Sequence, residues 1–184
     1  MRMLNEIGSY ICNQLPSHSL FINGNQLFVG ARCTGIYLGI LFTLFWLGWK
    51  KEYRNNNINF QALMLLILPM AIDGTSQLLG LWDGTNWFRA ATGLLSGIGI
   101  GYLLPIALLG EEKKGYPNSK GIAAGGVFSV FAFAMLMWAI PLYFDTQAMF
   151  LIVNYLTFLG FLSAVAVVLY SAYKLAGNIY KRMG

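Results

Sequence analysis

The chain has 184 residues, of which 57% are hydrophobic and only 10% charged, where a soluble domain carries roughly a quarter charged. Such a composition excludes an ordinary water-soluble domain and suits a chain whose solvent is mostly lipid. The formal charge of +5 is no nucleic-acid signal, because the basic residues fall in short clusters between apolar stretches, as topology determinants do.

The first fifteen residues, MRMLNEIGSYICNQL, lack a continuous apolar run, so no cleavable signal peptide is expected. Met3, Leu4, Ile7, Ile11 and Leu15 instead recur at helical spacing, which predicts a short amphipathic helix ending before Pro16. The stretch SLFINGNQLF then places Asn23-Gly24 between apolar residues, a hairpin-type turn signal. Residues 1–28 are read as an extracytoplasmic segment able to fold as a lid over the helix ends. The lone histidine, His18, is expected to be solvated.

Five segments follow that each approach the twenty or so apolar residues needed to cross about 30 Å of hydrocarbon. They run from Val29 to Trp49, Phe60 to Trp82, Trp87 to Leu109, Gly121 to Phe144 and Ala148 to Tyr173. None alternates strictly, so helices are expected rather than barrel strands. The fold class is all-α: a five-helix transmembrane bundle over residues 29–173 with a basic cytoplasmic tail at 174–184.

Lys50, Lys51, Arg54, Lys113, Lys114, Lys120, Lys174, Lys181 and Arg182 make nine of the twelve basic residues, and all fall on one side of that bundle. The positive-inside rule puts this side in the cytoplasm, the N-terminus outside and the protein in the cell membrane as a multi-pass chain. Arg2, Arg32 and Arg89 remain. Arg32 and Arg89 start the first and third spans from the outer side, against that asymmetry.

The second span carries Asp73 about thirteen residues, roughly 20 Å, from its cytoplasmic start, with Gln77 one turn further on the same face. Pro69 and Gly74 bracket this stretch and predict a kink or local unwinding. A carboxylate at such depth is costly unless paired, protonated or wet. It is either a functional group or a member of a structural ion pair. In the third span Arg89, Thr92 and Ser96 share one stripe. Gly93, Gly97 and Gly101 form a small-residue seam for close helix approach, and Gly35 and Gly39 share a face with Arg32 for the same purpose.

Arg32, Asp73, Gln77, Asn86 and Arg89 thus gather at the outer ends of three consecutive helices, with Tyr37 a turn deeper and Asn154 in the outer half of the fifth. Two guanidiniums beside one carboxylate give a net positive site suited to a phosphate or carboxylate head group. Arg32 and Arg89 would clamp the head, with Gln77, Tyr37 and Asn86 as further binding residues and Asp73 as acid, base or charge partner. The competing reading is that both arginines snorkel to the outer head groups. Cys12 and Cys33 both fall outside, where they either bridge or remain two thiols. One histidine and two cysteines make no metal site within the chain, and no cofactor is expected.

Four stretches carry a family likeness: CNQLPSHSLF (12–21), ARCTGIY (31–37), PMAIDGTSQ (69–77) and NWFRAATG (86–93). They resemble the membrane proteins called domain of unknown function 2085, whose pattern runs Cys-His-Gln-x-Pro, Cys-x-Arg-Cys-Thr-Gly-x-Tyr, Pro-Met-x-x-Asp-Gly and Asn-x-x-Arg-x-x-Thr-Gly. The likeness covers residues 10–105. This chain has Asn13 in place of the pattern's His and Gly30 in place of its middle Cys, so a metal or redox site built on three Cys and one His would be lost here or reduced to a disulfide. No activity comes with the resemblance.

Three functions fit these residues. One is a lipid-binding or lipid-processing protein acting on an anionic amphiphile at the outer leaflet. Another is a non-catalytic accessory subunit, and a third a small-solute permease. The partners implied are membrane lipids, the anionic amphiphile as ligand, and a second copy or another membrane subunit, with no nucleic acid.

Overall fold

In the computed structural model the described residues are 2–50, 60–109, 119–138 and 146–183. They form six α-helices, α1 (Arg2–Ile11), α2 (Ala31–Lys50), α3 (Phe60–Leu78), α4 (Asn86–Leu109), α5 (Ser119–Trp138) and α6 (Thr146–Met183). A 3-10 turn at Pro16–His18 and a two-stranded hairpin, β1 (Phe21–Ile22) with β2 (Asn25–Gln26), lie between α1 and α2. Asn23 (φ 52°) and Gly24 (φ 72°) are both left-handed. Two such residues at the tip twist the chain as the hairpin strands require, which is why the Asn-Gly pair sits there.

Helix α2 is the axis of the assembly, lying against α4 over its length and against α5 and α6 on other sides, while α3 packs on α4. Glycine makes the α2–α4 approach possible. A Cβ at Gly35 would stand 2.1 Å from the Ala90 carbonyl oxygen, and one at Gly39 2.5 Å from that of Leu94. From the other side, a Cβ at Gly93 would meet Arg32 O at 2.2 Å and one at Gly97 Ile36 O at 2.2 Å. The two predicted seams therefore interlock with each other, backbone against backbone. Leu38, Leu94, Ile98, Tyr102 and Val153 fill the core around this contact.

Four of the helices follow the predicted spans with small shifts at their ends. The second span was expected to run to Trp82, but α3 stops at Leu78. Gly80 takes φ 67°, Gly80 N–H donates to Gln77 O and Leu81 N–H to Ser76 O. That crossed pair of bonds closes a helix C-terminus and needs a residue without a Cβ at the left-handed position. Pro69 lies inside α3, which is nonetheless helical from Phe60 to Leu78, so the expected unwinding is absent.

Helix α6, which holds the fifth predicted span, departs furthest. At 38 residues and about 1.5 Å per residue it is about 57 Å long, and it runs ten residues past Tyr173, through Gly177 and Asn178. For the fourth span, residues 139–144 lie outside the described residues, as do Lys51, Arg54, Lys113 and Lys114, on which the orientation largely rests.

Segment 12–30 is folded onto the ends of the helices. Phe28 N–H donates to Asn154 Oδ1 on α6 at 3.0 Å, and Gln14 Nε2 donates to Phe28 O at 2.6 Å and Asn5 O at 3.0 Å. Leu27, Phe28, Val29 and Ala31 are fully buried, so the chain enters α2 through a packed collar. Asn154, noted for its depth, serves to hold that collar.

Candidate functional site

Two hydrogen-bonded chains cross the end of the bundle beneath this segment. In the first, Thr92 Oγ1 on α4 lies 3.5 Å from Asp73 Oδ2 on α3, and Asp73 pairs with Arg32 Nη2 on α2. Arg32 Nη2 also donates to Gln77 Oε1 at 3.1 Å, and Gln77 Nε2 stands 3.1 Å from His18 Nε2. Since Gln77 Oε1 already accepts from Arg32, its amide nitrogen faces the histidine. That nitrogen is the one His18 Nε2 meets. His18 is thereby engaged by α3 rather than solvated.

In the second chain Arg89 Nη2 pairs with Asp83, Arg89 Nη1 donates to Asn86 Oδ1 at 2.8 Å and reaches Ser17 O at 3.5 Å, and Asn86 Nδ2 donates to Ser19 O at 2.8 Å. Thr85 caps α4, its Oγ1 accepting from Phe88 N–H at 3.3 Å. The cap fixes Asn86 and Arg89 in the first turn of α4, directed at the Pro16–His18 turn.

The two arginines do not flank one carboxylate, as the sequence suggested. Asp73 belongs to Arg32, while Arg89 takes Asp83 from the loop ahead of α4, so the four charges balance. The two pairs are unequal. Asp73 is buried, whereas the Asp83 side chain is 83% exposed and Arg89 only 4%. Water competes for the exposed Asp83 carboxylate as it cannot for the buried Asp73, so the buried Arg89 guanidinium holds the weaker partner.

A cavity of about 190 Å3 opens between the segment and the helices, lined by Cys12, His18, Arg32, Cys33, Gln77 and Arg89 among others. Arg32 Nε and Arg89 Nε are both buried with no acceptor. A larger groove of about 460 Å3 lies beside α3, lined by Leu65, Leu68, Ile72, Trp82 and Phe88, with Asp73 in its wall. The Arg32–Asp73 pair joins the two spaces, the arginine lining one and the aspartate the other.

Tyr37 is not brought to the cavity. Five residues after Arg32 it points about 140° around α2, packing edge-on against Phe161 of α6 with ring centroids 5.5 Å apart. Asn86 supports Arg89 and Ser19 without lining the cavity. Asp83 was missed because it falls in a loop with no periodicity, six residues before its partner. His18 was missed because only the chain reversal at Pro16 brings it to Gln77.

The two thiols meet at the same place. Cys12 Sγ and Cys33 Sγ are 3.4 Å apart, unbridged, and Gly30 N–H donates to Cys12 Sγ at 3.3 Å. Hydrogen bonding from the Cys33 thiol, and then from backbone N–H groups, brings Cys12 down to about 5 against the opposing effect of burial. A Cβ at Gly30 would stand 3.2 Å from Cys12 Sγ, and Asn13 also lines the cavity. Positions 12, 13, 30 and 33 therefore converge, but only two of them carry a metal-binding side chain. Among the described residues no three His, Cys, Asp or Glu side chains form a metal-binding group, so a three-Cys, one-His centre does not fit this chain.

These elements define a mostly helical membrane protein. Among the described residues, Ala31–Trp49 and Thr146–Tyr170 are long and apolar enough to cross a bilayer, with shorter apolar stretches at Leu63–Leu78 and Ala124–Met135. The chain belongs to the family described as "Predicted membrane protein (DUF2085)", whose model matches residues 12–103, half of the chain. The match takes in both hydrogen-bonded chains and the thiol pair.

It is also similar to an uncharacterized protein of Methanocaldococcus jannaschii, 41% identical over 100 residues, which are 53% of this chain and 64% of the relative. A second, uncharacterized protein of Methanothermobacter thermautotrophicus is 36% identical over 97 residues, 53% of this chain and 86% of the relative. The chain thus covers under two thirds of the first relative. No solved structure matches it.

Proposed function

We propose that this is a multi-pass protein of the cell membrane whose five long helices span the bilayer, with the cavity at the outer face holding the anionic head of a lipid or similar amphiphile. Residues 1–28 cover that site from outside, and the tail from residue 174 is cytoplasmic. Tags at the two chain ends should be accessible on opposite faces of intact cells, and labelling on one face would contradict this orientation.

One observation carries the binding reading: Arg32 and Arg89 line the same cavity, and each keeps a buried Nε–H without an acceptor. A buried donor left unmade costs about 1–3 kcal/mol, more on a charged group, so neither guanidinium is fully satisfied within the chain, and planar guanidiniums lining one cavity suit a phosphate or carboxylate. The head group would draw Arg89 from the exposed Asp83, while the buried Asp73 acts as charge partner that keeps Arg32 in place. The adjoining apolar groove supplies a path for the tail.

Dodecyl phosphate added to protein in dodecyl maltoside should raise the melting temperature, since a ligand at a hundred times its Kd stabilises by about 2.7 kcal/mol. Arg89→Gln should remove that rise and Asp83→Asn should enlarge it, the latter at little intrinsic cost. Equal rises in all three proteins, or none in the wild type, would contradict the site.

A second reading is favoured by one feature. The chain Thr92–Asp73–Arg32–Gln77–His18 ties three helices and the N-terminal segment together, as the strut of a non-catalytic accessory subunit would. Its partner would be a second copy or another membrane protein.

A further inference from the structure

The Cys12–Cys33 pair is used by neither reading. Three features separate it from two packed thiols. The sulfurs face each other at 3.4 Å with nothing between them. Cys12 Sγ accepts both the Cys33 thiol and Gly30 N–H, donors that favour negative charge on this sulfur and not on Cys33. Both cysteines also line an open cavity together with Arg32. Cys12 follows the last residue of α1 at a bend, its N–H still donating to Gly8 O at 2.8 Å, so the pair closes by rotation of side chains on a fixed backbone.

We propose that Cys12 and Cys33 are a thiol–disulfide exchange pair acting on low-molecular-weight disulfides, with Cys12 attacking and Cys33 resolving. The thiolate of Cys12 attacks one sulfur of the incoming disulfide and expels the other as a thiolate, leaving a mixed disulfide on Cys12. Cys33 then loses its proton to the departing group or solvent and attacks Cys12 Sγ. The second thiolate leaves, and an intramolecular disulfide remains. Two thiols of the chain are oxidised and one external disulfide is reduced to two thiols, so the electrons balance. Closure brings the sulfurs from 3.4 Å to about 2.05 Å, a shift that rotation about the two Cα–Cβ bonds can supply. A cavity of about 190 Å3 admits a small disulfide and not the folded surface of another protein, which sets the substrate class.

The probe is 5,5′-dithiobis(2-nitrobenzoate) added to the folded full-length chain in detergent, followed by release of thionitrobenzoate and by intact mass. The wild type should release two thionitrobenzoates per chain and end two hydrogens lighter, carrying no adduct. Cys33→Ser should release one and retain one adduct on Cys12. Cys12→Ser should react roughly tenfold or more slowly than Cys33→Ser, following the thiolate at the attacking sulfur. The first release from the wild type should also change little in rate between about pH 8 and about pH 7, where an unassisted thiol loses most of its thiolate. A wild type that ends with two adducts, or single variants that react at equal rates, would overturn the proposal. Serine replaces a thiol at nearly constant volume, and melting of each variant beside the wild type confirms that a slow rate is chemical. Loss of dodecyl phosphate binding would leave this outcome untouched, so the two readings fail separately.

Discussion

Gly97→Leu should abolish the folded bundle, with no monodisperse protein recovered after extraction. A Cβ at this position would lie 2.2 Å from Ile36 O and 2.9 Å from Ile36 C and Cα. These are backbone atoms of α2, so no side chain can swing aside and the helix itself must move. Overpacking typically costs about 1–3 kcal/mol where side chains can adjust, and a backbone collision exceeds that range. The displaced helix carries Arg32 and Cys33 at its start, so the cavity would be lost with the packing. Gly126 on α5 has nothing within 4 Å of a Cβ, and Gly126→Leu should melt close to the wild type. Similar melting of both variants would mean that α2 and α4 do not approach through their glycines.

Asp73→Ala should be the most destabilising change in the polar cluster, by about 3–5 kcal/mol. Asp73 is buried and takes Arg32 on one oxygen, and Arg32 is only 26% exposed. Removing the carboxylate leaves a guanidinium beside an apolar groove with Gln77 as its acceptor. Asp73→Asn should cost less, because an amide oxygen can still accept from Arg32. The double change Arg32→Met with Asp73→Leu should recover much of the loss, since an apolar pair of similar size replaces a buried ion pair at little net cost. Unfolding of the four proteins in one detergent measures this coupling. The double variant also separates the two functional readings. A strut should work as well when rebuilt from apolar side chains, whereas a binding site should be folded and empty.

What could be read from the sequence was whatever is periodic. The glycine spacing at 93, 97 and 101, the stripe of Arg89, Thr92 and Ser96, and the Asp73–Gln77 turn follow from helix geometry and stand in the structure as expected. The Asn23-Gly24 turn follows equally from local chemistry. Partnering was not legible where it depends on chain reversals. Asp83 reaches Arg89 only because Gly80 ends α3 early, and His18 reaches Gln77 only because Pro16 turns the segment inward. Tyr37 departs for a different reason: its depth one turn below Arg32 follows from the sequence, but the two lie on different faces of α2. The family pattern marked positions 12, 13, 30 and 33, but only the fold shows that all four meet at one cavity.

The proposed site is the cavity under residues 12–30, with an anionic head group held by Arg32 and Arg89. Native mass spectrometry of the protein released from detergent micelles, with dodecyl phosphate added, tests it most directly. The wild type should carry one dodecyl phosphate per chain. Arg89→Gln and the Arg32→Met, Asp73→Leu double variant should carry none while remaining folded. Equal occupancy in all three proteins would contradict the claim and leave the polar cluster as a strut.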